Sequence, residues 1–371
     1  MILRSIALTN FKNIADARLE LSPKINCFLG DNGMGKSNLL DALYYLSFCR
    51  SFSGAGDALL IKRGEDFATL HGIYLRRGLD EDLTAGIAPG RRKAFKRGGK
   101  PYKRLAEHLG AFPLVLLSPA DTVLVQGEPA ERRRFIDQII SQSDPRYLDA
   151  LMRYNGALEQ RNRLLRDEIA DDTLYEALEV QLEAAAGYIT ARRRETIAAL
   201  TDIFDRYYSL IAANGEKAEM AYVCADYSAD GGLAAHMARM RGRDRALHHT
   251  ASGPHRDDIA LTIDSMPVRR SASQGQTKTF TTALRFAQYE LLSAQLGIKP
   301  LLLLDDIFDK LDAGRVHRIV EIVGASDSFG QIFITDTNRR HLDEIVADIP
   351  PSAENYRLWH VDGGTFSLID A

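Results

Sequence analysis

The stretch FLGDNGMGKSNLLDALYYL, residues 28–46, holds glycines at 30, 33 and 35 followed by Lys36 and Ser37. This is the GxxxxGK[ST] spacing of a phosphate-binding loop. At ordinary residue usage, a chain of this length shows that spacing by accident about once in a hundred cases. The flanks narrow the reading further. Residues 25–29, INCFL, predict a short buried strand, and Asn38 to Leu46 carries apolar residues at helical spacing, so the loop is expected at a strand-to-helix junction. There, successive backbone N–H groups form a concave array of donors, and glycine permits positive φ and close approach to phosphate. The candidate nucleotide contacts are Gly30, Asp31, Asn32, Gly33, Met34, Gly35, Lys36, Ser37 and Asn38. Lys36 would reach the β and γ phosphates of a nucleotide, and the Ser37 hydroxyl would ligate Mg²⁺.

A second element lies far along the chain. Leu301 to Leu304 run into Asp305 and Asp306. A fully apolar strand suits a central parallel position, and a carboxylate at its C-terminal end sits where open α/β sheets bind ligands. This is a Walker B pattern, in which Asp305 would hold Mg²⁺, through water, and Asp306 would polarise the attacking water. A third element, Ser273-Gln274-Gly275-Gln276, precedes a helix predicted from about Thr277. By itself it reads either as an ordinary helix cap or as a second anion-binding device, one that could act on a nucleotide held by another copy of the chain.

Between these elements the pattern changes twice. Residues up to about Ser118 read as β-rich apart from the helix after the loop, with alternating segments such as FATLHGIYLRR. Asp144-Pro145 supplies an N-cap and a proline at the first helical position, and no proline occurs from Thr173 to Asn214. Two antiparallel helices are the economical reading, the second roughly 60 Å long at ~1.5 Å per residue. After about His248, strands and helices alternate again: ALTID, TKTFTTALRFAQYELLSAQLG, LLLLDD and QIFITD. The expected organisation is a discontinuous head, 1–143 and 241–371, with a helical lobe inserted at 144–240.

Net charge is −3, which does not advertise a nucleic-acid partner. Residues 91–104 nevertheless carry Arg91, Arg92, Lys93, Lys96, Arg97, Lys100, Lys103 and Arg104 with no acidic residue among them. Phe95 and Tyr102 interleave, and Gly98-Gly99 predicts the tip of a hairpin. Contact with a phosphate backbone and a solvated hairpin face are both open readings. Smaller basic clusters occur at 132–134, 192–194, 239–245 and 269–270. Cys27, Cys49 and Cys224 lack metal or disulfide spacing, and no run of about 18 apolar residues occurs. A reducing cytoplasm fits, with no membrane association expected.

The order of phosphate loop, SQGQ before a helix, LLLLDD and Leu311-Asp312 resembles the ABC-type ATPase heads of the SMC, Rad50 and RecF group. Within that group TNFKNI, GKSNLLDALYYLSFCRSF, LSPADTVLVQGEPAERRRFID, SGPHRDDI and LLLLDDIFDKLD resemble RecF family blocks over nearly the whole chain. The resemblance implies an α/β fold, an ABC-type P-loop ATPase head with a mixed sheet and an inserted helical hairpin. It also implies ATP and Mg²⁺ as ligands and slow, DNA-stimulated ATP hydrolysis. It further implies an ATP-dependent homodimer, binding to single-stranded, double-stranded and gapped DNA, and work with RecO and RecR to load RecA in replication, repair and the SOS response. Carried over by motif, Ser273, Gln274, Gly275 and Gln276 are the signature, Asp312 the aspartate facing the dimer seam, and Lys12 and Asn13 lie on the adenine side. Lys36, Asp305 and Asp306 are the catalytic set, with Ser37 and Asp305 on the metal.

Four departures qualify the resemblance. Ser37 stands where the family often has threonine, a harmless change because both hydroxyls can ligate Mg²⁺. Asp306 stands where most ABC heads have glutamate, one methylene longer, which implies slow turnover. Asp309-Lys310 replaces a more usual Ser-Glu. QIFITD offers Thr335 or Asp336, and no histidine, at the switch position. An ABC transporter ATPase subunit and a DNA-binding structural protein with a degenerate ATP site are the competing readings.

Overall fold

In chain order the elements begin with β1 (Ile2–Phe11), β2 (Ile14–Glu20), β3 (Ile25–Leu29), α1 (Lys36–Phe48), β4 (Ala68–Arg76), β5 (Leu79–Ile87), β6 (Ala94–Arg97), β7 (Lys100–Pro101) and β8 (Leu114–Leu117). The middle of the chain forms α2 (Thr122–Gln126), α3 (Pro129–Ser143), α4 (Pro145–Arg166), α5 (Asp172–Ala212), β9 (Ala218–Val223), α6 (Leu233–Leu247), β10 (Asp258–Ile263), β11 (Met266–Pro267) and α7 (Val268–Ser271). The remainder is α8 (Gln274–Leu296), β12 (Leu301–Asp305), α9 (Ala313–Gly324), β13 (Ile332–Asp336), α10 (Arg339–Val346), β14 (Tyr356–Asp362) and β15 (Thr365–Ile369). These come from a computed structural model, which describes every residue except 214, 309–310, 325–327, 348, 351 and 370–371.

The chain divides into two compact units, one of residues 1–121, 207–214 and 274–371, the other of 122–206 and 215–273. The first unit holds two sheets among the described residues. One is antiparallel, in the order β2-β1-β4-β5-β6-β7; the other runs β15-β14-β3-β13-β12-β8. In the second sheet β14, β3, β13, β12 and β8 are parallel and β15 returns antiparallel. This mixed sheet agrees with the fold expected. Every residue of β12 and β13 is buried, as strands covered on both faces must be.

Helix α1 explains the dense apolar residues after the phosphate loop. It touches β1, β4 and β5 of one sheet and β8, β12 and β13 of the other, so Leu39, Leu40, Ala42, Leu43, Tyr45 and Leu46 are buried around its whole circumference. Gln331 ties the two sheets as well. Its side chain accepts from Leu3 N–H and donates to the carbonyls of Leu3 and Ser22.

The basic hairpin forms as β6 and β7, turning at Gly98-Gly99. Its two aromatic residues face inward, Phe95 stacking on Tyr45 and Tyr102 meeting His108 edge-on. Two of its cations are consumed locally. Lys93 Nζ donates to the Cys49 carbonyl at the end of α1 (2.7 Å), pairs with Asp57 (3.0 Å) and lies over the Tyr45 ring, while Arg97 pairs with Glu81 at 2.7 Å. Arg91, Arg92, Lys96, Lys100 and Lys103 remain exposed.

In the second unit α4 and α5 are antiparallel, joined by Arg161–Glu179 near one end and Asp144–Arg192 near the other. Asp144 also caps α4, accepting from Arg146 and Tyr147 N–H, the capping role its position before Pro145 suggests. The hairpin does not stand alone: the same unit contains α3, α6 and a sheet ordered β11-β10-β9. Its edges therefore fall at 122 and 273, outside the 144 and 240 expected, and the end of α5 from Tyr207 belongs to the first unit. The reason lies in side-chain charge. Arg132 makes a bidentate contact with Asp258 and Arg133 donates to the Asp257 carbonyl, which locks α3 to the start of β10.

Some arginines of the smaller basic clusters are likewise internal, while Arg134, Arg194, Arg239, Arg243, Arg269 and Arg270 are exposed. Arg193 is buried against Asp137, the Tyr147 hydroxyl and the Pro254 carbonyl. Outside those clusters Arg161, with no exposed surface, binds Glu179, Asp244 and Thr250; Arg241 and Arg245 reach Glu179 and Asp172. A buried charge is tolerated only when paired and hydrogen-bonded, and Arg161 and Arg193 are spent on that pairing.

Candidate functional site

The phosphate loop leaves β3 and enters α1 at Lys36, with Gly35 at the N-cap in a left-handed conformation, φ 114°. Register places Asp305 opposite Thr335 and Asp336 opposite Leu29. The carboxyl ends of β3, β13 and β12 therefore finish side by side, in the crevice where ligands bind in sheets of this kind.

The side chains converge there. Ser37 Oγ donates to Asp305 Oδ1 at 2.8 Å and Thr335 Oγ1 donates to the same oxygen at 2.7 Å. Asp306 has φ 48°, and its N–H donates to both the carbonyl and the hydroxyl of Thr335 at 3.2 Å. Lys36 Nζ bridges the Gly30 and Asp31 carbonyls at 2.6 and 2.9 Å. Burial lowers the Lys36 pKa from its ordinary value, opposed by the charges of Asp306, Asp305, Asp336 and Asp31. Burial raises the Asp305 pKa, against the hydrogen bonds from Thr335 and Ser37 and the charge of Lys36. Two hard oxygen donors 2.8 Å apart, one of them a carboxylate, are chemically suited to Mg²⁺.

The loop is also held from outside. Asn13 Nδ2 and Gly364 N–H both donate to the Met34 carbonyl, at 3.2 and 2.8 Å, and Asn38 Nδ2 donates to Asn13 Oδ1 at 2.8 Å. Asn13 thus sits on the loop, beside Gly35. Lys12 is turned elsewhere: its ammonium pairs with Asp41 at 2.5 Å and lies over the Phe52 ring.

Asp41, fully buried, also accepts from Ser51 Oγ and Phe52 N–H. It was missed in the sequence, although a carboxylate inside the apolar run LLDALYYL is itself a signal that something must pair with it. Thr335, noted only for not being histidine, proves to be the residue that joins Asp305 to Asp306. Gly364 carried no motif.

The remaining candidates stand on other elements. Helix α8 begins at Gln274 rather than near Thr277, so Gln274, Gly275 and Gln276 form its first turn and Ser273 precedes it. The division between the two units falls between Ser273 and Gln274. Asp312 stands before α9, where it accepts from Arg315 N–H at 3.0 Å and pairs with the Arg315 guanidinium; that backbone hydrogen bond leads the effects lowering its pKa. Asp309 and Lys310 lie outside the described residues.

Comparison with known proteins decides the family. The DNA replication and repair protein RecF of Parabacteroides distasonis is 44% identical over 98% of this chain and 98% of its own length. That of Phocaeicola vulgatus is 46% identical over 98% and 97%. The chain belongs to the RecF family. A solved structure of the recombination mediator protein RecF with ATP, described as part of the RecFOR pathway, matches with a TM-score of 0.86 at 27% identity, covering 100% of this chain and 98% of that one. An SMC head bound to the C-winged helix domain of ScpA matches with a TM-score of 0.60 at 16% identity over 100% and 97%, a likeness of fold alone. A family profile described as AAA ATPase domain covers residues 1–71, from β1 through the phosphate loop and α1. The RecF likeness runs the length of the chain, including the second unit, and sets aside the transporter reading. Among the described residues no helix is long and apolar enough to cross a membrane.

Proposed function

We propose that this RecF family protein binds ATP with Mg²⁺ and uses it as a reversible clamp on DNA. The observation that carries the reading is the convergence of Lys36, Ser37, Asp305 and Thr335 at three adjacent strand ends. Ser37 and Asp305 would hold the cation, which neutralises phosphate charge when bound. The loop N–H groups and Lys36 bind and orient the phosphates, and Asp306 takes the proton of the attacking water. Asn13, beside the loop, and Lys12 are assigned to the adenine side.

One nucleotide does not need a second anion device in the same chain. Ser273, Gln274, Gly275 and Gln276 are therefore assigned to the nucleotide of a second copy, with Asp312 at the seam, so that ATP joins two heads and slow, DNA-stimulated hydrolysis parts them. The protein would act in the cytoplasm on single-stranded, double-stranded and gapped DNA, with RecO and RecR, to load RecA during replication, repair and the SOS response. The domain reading is a discontinuous ATPase head, 1–143 and 241–371, carrying an inserted helical lobe at 144–240.

ATP with Mg²⁺ is expected to shift the protein from monomer to dimer in light scattering. A monomer at saturating ATP, with binding confirmed, would rule out the clamp.

For the DNA contact, the exposed Arg91, Arg92 and Lys96 are the residues to neutralise, since Lys93 is engaged at the end of α1. Each phosphate contact contributes about −0.9 to the slope of log affinity against log salt. Replacing all three with glutamine should flatten that slope by about 2 to 3. An unchanged slope would place the DNA elsewhere.

A further inference from the structure

One buried carboxylate beside the site has no part in that scheme. Asp336 ends β13 with 2% of its surface exposed. Its Oδ1 accepts from Asn338 N–H at 2.7 Å, and its Oδ2 meets Nδ1 of His341, in the first turn of α10, at 2.8 Å. A carboxylate accepts, so the His341 proton lies on Nδ1. The same imidazole stands 5.3 Å, centre to centre, from the ring of Phe308, two residues beyond Asp306. A single side chain thus touches both the end of β13 and the turn that leaves β12.

Both contacts lead to the carboxylate pair. Thr335 and Asp336 are consecutive on a strand and point to opposite faces, so clamping Asp336 on one face fixes the roll of the strand end on the other. That roll aims Thr335 Oγ1, which donates to Asp305 and accepts from Asp306 N–H. Phe308 meanwhile anchors the chain just past Asp306, whose φ of 48° lies in a region non-glycine residues hold only when the surroundings impose it.

We infer that His341 is a positioning residue for nucleotide hydrolysis: through Asp336 and Phe308 it sets the placement of Thr335 and of the Asp305–Asp306 pair. The inference rests on the ATPase reading above and goes beyond it. It also supplies a reason for the missing switch histidine. The strand end carries a carboxylate in its place, and the imidazole arrives five residues later from α10.

Two substitutions separate the contacts. His341→Phe keeps a ring against Phe308 and removes the donor to Asp336; His341→Asn keeps a donor and removes the ring. Full-length protein is assayed for steady-state ATP hydrolysis, for binding of a fluorescent ATP analogue and for thermal midpoint. A sub-ångström loosening of reacting groups is worth about tenfold or more in rate. His341→Phe is therefore expected to lower kcat about tenfold while analogue affinity stays within about twofold of wild type, and His341→Asn should retain more of the rate than His341→Phe. Undiminished kcat in His341→Phe, or rate and affinity falling together with the thermal midpoint in both variants, would overturn the inference and leave the ATPase reading standing. Wild-type protein that binds no analogue and hydrolyses no ATP would overturn both.

Discussion

Asp306→Asn is expected to abolish most ATP turnover while leaving ATP binding within a few-fold of wild type, and to leave the dimer assembled for as long as ATP is present. A positioned general base contributes about 10²–10⁴-fold to a hydrolytic step, and asparagine cannot take the proton. The substitution is otherwise conservative at this position. Asparagine tolerates the left-handed conformation, φ 48°, that Asp306 adopts, and the bonds that hold the backbone come from the Asp306 N–H to Thr335, which the side-chain change does not touch. Asp305→Asn is the useful contrast. Asp305 receives both Ser37 and Thr335 on one oxygen, so its loss should weaken cation and nucleotide binding as well as turnover. Single-turnover hydrolysis and dimer lifetime after dilution give the two readouts. If the Asp306→Asn dimer falls apart faster than wild type, or turns over ATP at the wild-type rate, Asp306 is not the base.

The parts of this site legible in the sequence are those whose chemistry is carried by consecutive residues. GDNGMGKS and LLLLDD each contain a whole local device, a strand end with the groups it presents, and both fold as read. What was not legible are the contacts made between strands and helices distant in sequence. Gly364 reaches Met34 across the sheet, Lys12 reaches Asp41 from the end of β1, and no spacing rule links residue 34 to 364 or 12 to 41; Asp336 and His341 are near in sequence but belong to no local motif. Sheet order β3-β13-β12 places Thr335 between the phosphate loop and Asp305; without that order Thr335 is only a residue that fails to be histidine.

The placement of charge is not legible in the sequence for a related reason. Arg132, Arg193 and Arg241 look like candidates for a phosphate surface when counted along the chain, yet their carboxylate partners lie between 56 and 126 residues away. Exposed charge can be assigned only after buried pairing has been subtracted. The 91–104 hairpin survives that subtraction in part; in the second unit it removes Arg132 and Arg193, while Arg134, Arg194, Arg239, Arg243, Arg269 and Arg270 stay exposed.

Two glycines of one loop should respond very differently to alanine, because they are glycine for different reasons. At Gly30 a Cβ would lie 2.2 Å from the carbonyl oxygen of Val361, backbone to backbone, in the strand β14 that pairs beside β3. Neither side is a flexible chain end. The loop or β14 must move by about an ångström to restore van der Waals distance, and displacement of that size in groups that position a reacting phosphate costs about 10²-fold in rate. Gly33 has φ 82° and open space around a Cβ. Alanine there meets only the left-handed backbone penalty, about 1 to 2 kcal/mol, part of which the exposed loop can relax. Gly30→Ala is therefore expected to lower kcat/KM for ATP at least about 10²-fold, and Gly33→Ala about tenfold or less. Comparable losses in the two variants would mean that the tight approach to Val361 does not position the loop, and that left-handed backbone alone governs how it meets phosphate.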